Sequence, residues 1–389
     1  MLCYGEAFLN EQTGLRILRI LHVLSHLSGG GAERQFEYLA SELLGMGHGV
    51  DVAYLRDGPA RPNLNGIVTH QLRAKNNHNP SLLWQLVQLS RQIEPDVIHT
   101  WLLQMDILGG LAARLSGIPW VMAEQSSATP FLPRWKDRLR VRIAASASAI
   151  ISNSLGGDEY WKNSLPNDRR FVIQNGLALN EIEGAVAVLP SQLSNTRKPI
   201  VLYVGRISFD RSGNKNLKAF LEVLKCVSEE KQVLGVLCGE GQQRSELELL
   251  RDRLGLREQI HFTGHLPSVS VWGLMKRASL FVSLSAYEGC PNSVMEAVAC
   301  GCPLILSDIP AHRELLDESC AVFVDSADVQ QVAGAIVQAL SNAGAATRRA
   351  LIAKQRIHEW SIAEKARDYE NVYQLVTAAS SNQMRNKKV

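Results

Sequence analysis

No part of this chain stays apolar for long enough to cross a membrane. The early run 17–27 is broken by Arg19, His22 and His26, and nowhere do the ~18–20 consecutive apolar residues of a spanning helix occur. Residues 1–14 are mixed and polar, unlike a secretory signal. A surplus of one charge is lacking too. Lys and Arg number 41 against 38 Asp and Glu, a net charge of +3. Total charge therefore predicts no nucleic-acid partner, and any basic surface must be local. The seven cysteines, at 3, 226, 238, 290, 300, 302 and 320, are odd in number and scattered. Only Cys300 and Cys302 form a C-x-C pair, with no second pair at zinc-ligand spacing. They read as reduced thiols in a cytoplasmic protein. There is no Asp-x-Asp pair, no G-x-G-x-x-G and no P-loop, so no bound metal and no resident cofactor are expected.

What is present is length and alternation. The 389 residues, 46% of them hydrophobic, suffice for two domains with full cores. Strand-like runs at 15–24, 50–55, 96–99, 120–123 and 149–152 alternate with helix-like stretches at 32–46, 82–93 and 108–115. After a polar, proline-bounded segment at 190–199 the alternation restarts. Strands are expected at 200–204, 234–238, 260–263, 280–284 and 303–307, with helices between them. This pattern predicts two α/β units, each a parallel sheet covered on both faces. Ligands of such sheets bind outside the carboxyl ends of strands, which is where the unusual residues of this chain gather.

Three clusters stand at those ends. Gly29-Gly30-Gly31 lies between a strand and a helix, where glycine backbone and free N–H groups can approach a phosphate; the plainer reading is a flexible turn. Gly205-Arg206 follows strand 200–204, with Lys215-Asn216 ten residues on. A planar guanidinium and a point-charge ammonium suit a diphosphate, although such cations are more often only solvated. The third cluster is Glu288-Gly289-Cys290-Pro291-Asn292-Ser293-Val294-Met295-Glu296. There Glu288 could hold sugar hydroxyls, the backbone N–H groups of Gly289, Cys290, Asn292 and Ser293 a phosphate, and Glu296 a ribose diol. Ser293-x-x-Glu296 is equally a capping box, in which Glu296 only satisfies the helix start.

The third cluster resembles the E-x7-E signature of the family 4 retaining glycosyltransferases, which have the GT-B fold: α/β, with two Rossmann-like domains facing a central cleft. The resemblance covers nearly the whole chain. Gly30-Gly31-Ala32-Glu33-Arg34 is similar to the family's N-terminal Gly-Gly-x-Glu-Arg loop, and Asn175-Gly176 to its turn before the linker. Gly239-Glu240-Gly241 and Phe262-Thr263-Gly264 are similar to its donor-domain strand ends. The resemblance implies that Arg206 and Lys215 hold the donor diphosphate, Glu288 the transferred sugar and Glu296 the ribose. Gly30 and Gly31 would approach the phosphate or the acceptor, and Gly205, Gly239 and Gly241 would line the donor. It implies an extension at 1–14, an acceptor-side domain at 15–190 and a donor domain at 191–360. A helix at 361–379 would return to the first domain, and 380–389 would be a flexible tail. Many members carry a histidine two residues after the position of His99, where this chain has Trp101. His99 is then either a buried strand-end residue or an acceptor contact, and Glu124, in Glu124-Gln125-Ser126, is a further acceptor-side candidate.

The implied activity is retaining, metal-independent transfer from a nucleotide-sugar, UDP being commonest in the family, to a glycan or lipid-linked acceptor in cell-surface polysaccharide synthesis. The competing readings are a GT-B epimerase or phosphorylase and a non-catalytic sugar-nucleotide-binding protein. One further segment, 132–143, carries Arg134, Lys136, Arg138, Arg140 and Arg142 against Asp137, with Leu132, Trp135, Leu139 and Ile143 at helical spacings. It reads either as a helix docking on an anionic membrane, at the inner face of the plasma membrane, or as a surface helix whose apolar stripe packs inward.

Overall fold

The computed structural model describes residues 15–27, 30–58, 64–76, 79–126, 135–194, 196–207 and 215–386, with side chains as far as 380. The chain forms two compact units. Unit 1 comprises residues up to Gly176 together with those from Ile362 onward, and unit 2 runs from Leu177 to Ser361.

Unit 1 contains β1 (Arg19–Leu27), α1 (Gly31–Gly45), β2 (Gly49–Asp57), β3 (Val68–Gln71), α2 (Ser81–Ile93), β4 (Val97–Trp101) and α3 (Leu103–Ser116). Then follow β5 (Trp120–Glu124), α4 (Trp135–Ala144), β6 (Ala149–Ser152), α5 (Leu155–Trp161) and β7 (Arg170–Val172). Its sheet has the order β3-β2-β1-β4-β5-β6-β7, and all its pairings are parallel. Unit 2 begins with α6 (Leu179–Gly184), β8 (Ile200–Val204), α7 (Leu217–Glu230), β9 (Leu234–Cys238), α8 (Arg244–Arg253), β10 (Ile260–Gly264) and α9 (Ser268–Arg277). It continues with β11 (Leu280–Ser283), α10 (Asn292–Ala299), β12 (Leu304–Ser307), α11 (Pro310–Leu315), β13 (Val322–Val324), α12 (Val329–Ser341) and α13 (Ala343–Lys354). The order of its strands is β10-β9-β8-β11-β12-β13. Each unit is thus a doubly wound sheet whose strand order reverses beside its first strand.

The sequence produces this by two periods. Strands buried on both faces must be apolar on both. In β1, Ile20 and Leu24 face one core layer while Leu21 and Val23 face the other. In β8, Ile200 and Leu202 alternate in the same way with Val201 and Tyr203. The helices present single stripes. α2 buries Leu82, Leu86, Val87, Ser90 and Ile93 and ends at Glu94 in the left-handed conformation, a common helix stop. The last helix, α14 (Ile362–Asn386), belongs to unit 1. Its Ile362, Ala366, Tyr369, Val372, Tyr373 and Val376 fill the layer shared with α1 and Phe36.

The seam lies at Gly176–Leu177 rather than at 190–191. Leu177, Ile182, Ala185 and Leu193 pack into the core of unit 2, so the polar stretch at 190–199 lies inside that unit. The Asn175-Gly176 turn is the true crossing. A side chain at Gly176 would collide with Ile362, and the Gly176 backbone exchanges hydrogen bonds with the Gln35 side chain at 2.9 and 3.0 Å. The expected tail at 380–389 is helical as far as Asn386. Nothing in Ser380–Asn386 breaks a helix, so α14 simply propagates. The expected extension at 1–14 lies outside the described residues.

Candidate functional site

In unit 2 the order reverses between β8 and β11, and the residues singled out from the sequence follow those two strands and β9. Gly205 and Arg206 leave β8, and Arg206 is exposed. Asn216, in the left-handed conformation, starts α7 and donates its Nδ2 hydrogen to the Ser326 carbonyl at 2.9 Å. That anchor delivers Lys215 to Glu288, and the two form an ion pair with side chains 23% and 12% exposed. The Ser285 hydroxyl donates to the same Glu288 oxygen, Oε1, at 2.7 Å. Burial this partial makes a carboxylate depend on its donors, and here both come from strand ends at the switch point. In open α/β sheets that point is where ligands bind.

Gly239 and Gly241 have a local reason to be glycine. Both have positive φ, +146° and +157°, and a Cβ on either would run into the carbonyl oxygens of Gly205 and Ile207. The backbone at 205–207 and 239–241 is laced together, with Gly205 N–H to Cys238 O at 3.0 Å and Ile207 N–H to Glu240 O at 2.9 Å. These glycines therefore bring two strand ends together and thereby fix the position of Arg206.

The Glu288 loop leads into α10. Gly289, Cys290, Asn292 and Ser293 are half-buried, and the Cys290 thiol lies 3.4 Å from the Met295 sulfur. α10 starts at Asn292 with Pro291 at the cap position and no side-chain cap. Ser293 is thus inside the helix, and the capping-box reading of Glu296 is removed. Glu296 is buried near Cys238 and Cys300, whose thiols it helps push up after burial itself, Cys300 to about 12. Burial also raises Cys302. All six cysteines among the described residues are free.

In unit 1 the candidate donor and acceptor residues that are described are buried or half-buried. Gly30 caps α1 with no side-chain bond, and the Glu33 carboxylate from the first turn folds over it. A Cβ on Gly30 would meet that carboxylate. His99 is fully buried and faces the Tyr373 hydroxyl at 2.7 Å. Trp101 is also fully buried, and its indole N–H donates to His22 Nδ1 at 3.1 Å. Phe36, Tyr369 and Tyr373 complete the aromatic cluster. Burial pushes His22 down to about 3, and burial together with His22 lowers His99, so both rings are neutral. Glu124 is likewise internal. Arg140, 11% exposed, bridges Glu124 at 2.7 Å and Asp106 at 2.8 Å, and the Trp161 N–H donates to Glu124 at 3.0 Å. Trp101 and Glu124 are therefore corrected from acceptor contacts to core residues, and of the two readings of His99 the buried strand residue is the one found, because all three are shut away from solvent.

The basic helix is corrected in part. Arg140 is spent on the buried bridge, Leu139 and Ile143 pack on the core, and Arg134 lies outside the described residues. Lys136, Arg138 and Arg142 remain, with Trp135 70% exposed. No helix among the described residues is long and apolar enough to cross a membrane.

Sequence reasoning missed Ser285, Ser307 and His312, which stand behind Glu288. Their only signal was polar side chains closing apolar strands, Ser285 just after β11 and Ser307 at the end of β12.

Comparison with known proteins gives one family model for each half. Residues 29–181 match Glycosyltransferase Family 4, and residues 188–358 match Glycosyl transferases group 1. An uncharacterised glycosyltransferase of Methanocaldococcus jannaschii is 23% identical over 384 residues, covering 89% of this chain and 94% of that protein. The GDP-mannose:cellobiosyl-diphosphopolyprenol alpha-mannosyltransferase of Xanthomonas campestris is 30% identical over 205 residues, about half of each chain (52% and 51%). Among solved structures, Anabaena HepE in complex with UDP and glucose superposes with a TM-score of 0.75 at 19% identity, covering 94% of this chain and all of that one.

Proposed function

The chain belongs to the family 4 glycosyltransferases of GT-B fold, and on that premise we propose that it moves a sugar from a UDP-sugar to a lipid-linked glycan with retention and without a metal. The observation that carries this reading is the Lys215–Glu288 ion pair of unit 2, whose partners follow β8 and β11, the two strands of its switch point. A donor diphosphate meets Arg206 and Lys215, the transferred sugar meets Glu288, and the ribose diol meets Glu296. Lys215 and Ser285 both take Glu288 Oε1, so Oε2 is the oxygen for a sugar hydroxyl. As the bond from C1 to the diphosphate oxygen breaks, the acceptor oxygen forms its bond on the same face. The acceptor proton passes to the departing phosphate. No protein nucleophile is needed. The two cations stabilise charge growing on the diphosphate, the largest kind of contribution a site of this type makes, and the task a metal performs elsewhere.

The acceptor class rests on the Xanthomonas relative, whose name specifies a diphosphopolyprenol acceptor, and the base on HepE, solved with UDP. The test is release of nucleoside diphosphate from UDP-sugars and from GDP-mannose, with and without a polyprenyl-diphosphate saccharide, in EDTA. Acceptor-dependent UDP release and a product keeping the donor's anomeric configuration are expected. Activity lost in EDTA and restored by magnesium overturns metal independence, and GDP release alone changes the base. A new sugar nucleotide marks an epimerase, and binding without turnover a non-catalytic protein.

A lipid-linked acceptor places the enzyme at a membrane, and the α4 face fits that surface. Trp135, Lys136, Arg138 and Arg142 stand there together. The exposed Trp84 and Leu115 lie on α2 and α3 of the same unit. Each cation near an anionic surface is worth about 1 kcal/mol. Flotation with anionic vesicles at low salt should fall at high salt and in the double variant Arg138→Glu, Arg142→Glu. Equal flotation with neutral vesicles, or none at all, removes the docking claim.

A further inference from the structure

On the reading above, a bound donor draws the Lys215 ammonium towards its diphosphate, and Glu288 then loses its cation. A carboxylate only 12% exposed needs another donor to keep its charge and its aim. A relay of hydrogen bonds through Ser285, Ser307 and His312, two of them to main-chain carbonyls, stands behind it. The Ser285 hydroxyl donates to Glu288 Oε1 at 2.7 Å and has the Ser283 hydroxyl 3.4 Å away. The Ser307 hydroxyl donates to the Ser285 carbonyl at 2.6 Å. His312 Nδ1 lies 2.8 Å from the Ser307 carbonyl. A carbonyl only accepts, so Nδ1 carries the proton and the ring is held in one tautomer. Ser285, Ser307 and His312 are all buried. The relay runs from α11 across the end of β12 to the residue just after β11 and so ties two neighbouring strand ends to the Glu288 loop.

We propose that Ser285, held by Ser307 and His312, is a positioning residue that keeps the Glu288 carboxylate aimed at the transferred sugar once Lys215 has turned to the diphosphate. The inference rests on the donor reading of this site and adds a division of labour to it. Lys215 serves Glu288 in the empty enzyme, and Ser285 serves it during transfer. On that reading the nucleotide meets Arg206, Lys215 and Glu296 and not the relay, so loss of the relay acts on turnover and not on nucleotide affinity.

The experiment compares Ser285→Ala, His312→Leu and His312→Asn with the wild type, measuring kcat with the nucleotide-sugar that the wild type turns over and Kd for UDP by calorimetry. Removing a hydrogen bond to a charged group should lower kcat about tenfold to a hundredfold in Ser285→Ala, with an unchanged Kd for UDP. His312→Leu should lower kcat in the same way but less. His312→Asn keeps an N–H for the Ser307 carbonyl and should recover most of what His312→Leu loses, which a purely space-filling role does not predict. If Ser285→Ala does not fold, the two His312 variants decide. Wild-type kcat in both Ser285→Ala and His312→Leu overturns the proposal. So does an equal loss of UDP affinity and turnover, or an Asn variant no better than Leu. A wild type that neither binds UDP nor turns over any nucleotide-sugar instead brings down the donor reading, and this inference with it.

Discussion

The two units share one topology but put opposite things at its most informative place. In unit 2 the strand ends at the switch point carry Arg206, Lys215 and Glu288, partly open and charged. In unit 1 the corresponding strands, β1 and β4, carry a buried cluster of His22, His99 and Trp101 with Phe36 and two tyrosines. Two of its buried acids, Asp106 and Glu124, are both bridged by Arg140. The fold supplies the location, and the side chains decide whether it is a site. A polar group at a strand end becomes a ligand contact only where the neighbouring elements leave it uncovered. In unit 1, α14 packs on one face of the sheet and covers such groups, through Tyr373 on His99 at 2.7 Å and Glu370 on His48 at 2.9 Å.

The largest effect that would sharpen this contrast is expected from Arg140→Ala. It leaves Glu124 and Asp106 buried without their cation, which should cost about 3–5 kcal/mol of stability. Thermal unfolding measures the loss, and the Kd for UDP should stay put. A weakened UDP affinity would mean that the bridge serves the donor after all. Next come Arg206→Ala and Lys215→Ala. Each should reduce kcat/KM by roughly a hundredfold to a thousandfold, corresponding to about 2.7–4 kcal/mol, with the unfolding temperature nearly unchanged. Near-normal kcat/KM in both variants would erase the distinction between the units.

Acid should separate the units more gently. His22 and His99 are held neutral, His22 at about 3, whereas an unfolded histidine titrates near ~6.5. A depressed histidine contributes stability that is whole above the unfolded value and is lost as the pH falls below it. Each costs up to about 1.4 kcal/mol per pH unit. Unit 2 has one described histidine as deeply buried with a lowered value, His312. Between pH 6.5 and 5, amide exchange should therefore accelerate first in the strands of unit 1, and earlier opening of β8 and β11 would contradict this. The smallest effect belongs to Glu296→Gln. With no cap role for Glu296, the variant should fold normally and weaken UDP binding by up to about tenfold, the difference between a charged and a neutral hydrogen bond. An unchanged Kd would leave Glu296 as a core carboxylate only.

Much of this was legible in the sequence. The parallel strands announce themselves because burial on both faces forces unbroken apolar runs, as in Ile200–Val204 and Leu234–Cys238, both found as expected. The pairing of Lys215 with Glu288 was not legible, since 73 residues separate them and only the sheet order joins them. Short edge strands such as Val68–Gln71 were missed because an exposed edge needs few apolar residues. His99, Trp101 and Glu124 misled for the same reason that Lys215 did not. Trp101 and Glu124 close their strands and His99 lies within β4, and sequence cannot say which of these positions another element will cover. Arg140 shows the same limit, since among alternating cations only tertiary packing reveals the one facing inward.

The most direct test of the central claim, that the donor is held by the strand ends of unit 2, is calorimetric titration of the full chain with UDP. The account predicts a single site in the wild type, unchanged in Arg140→Ala and weakened at least tenfold in the double variant Arg206→Ala, Lys215→Ala. Wild-type affinity in that double variant would contradict it.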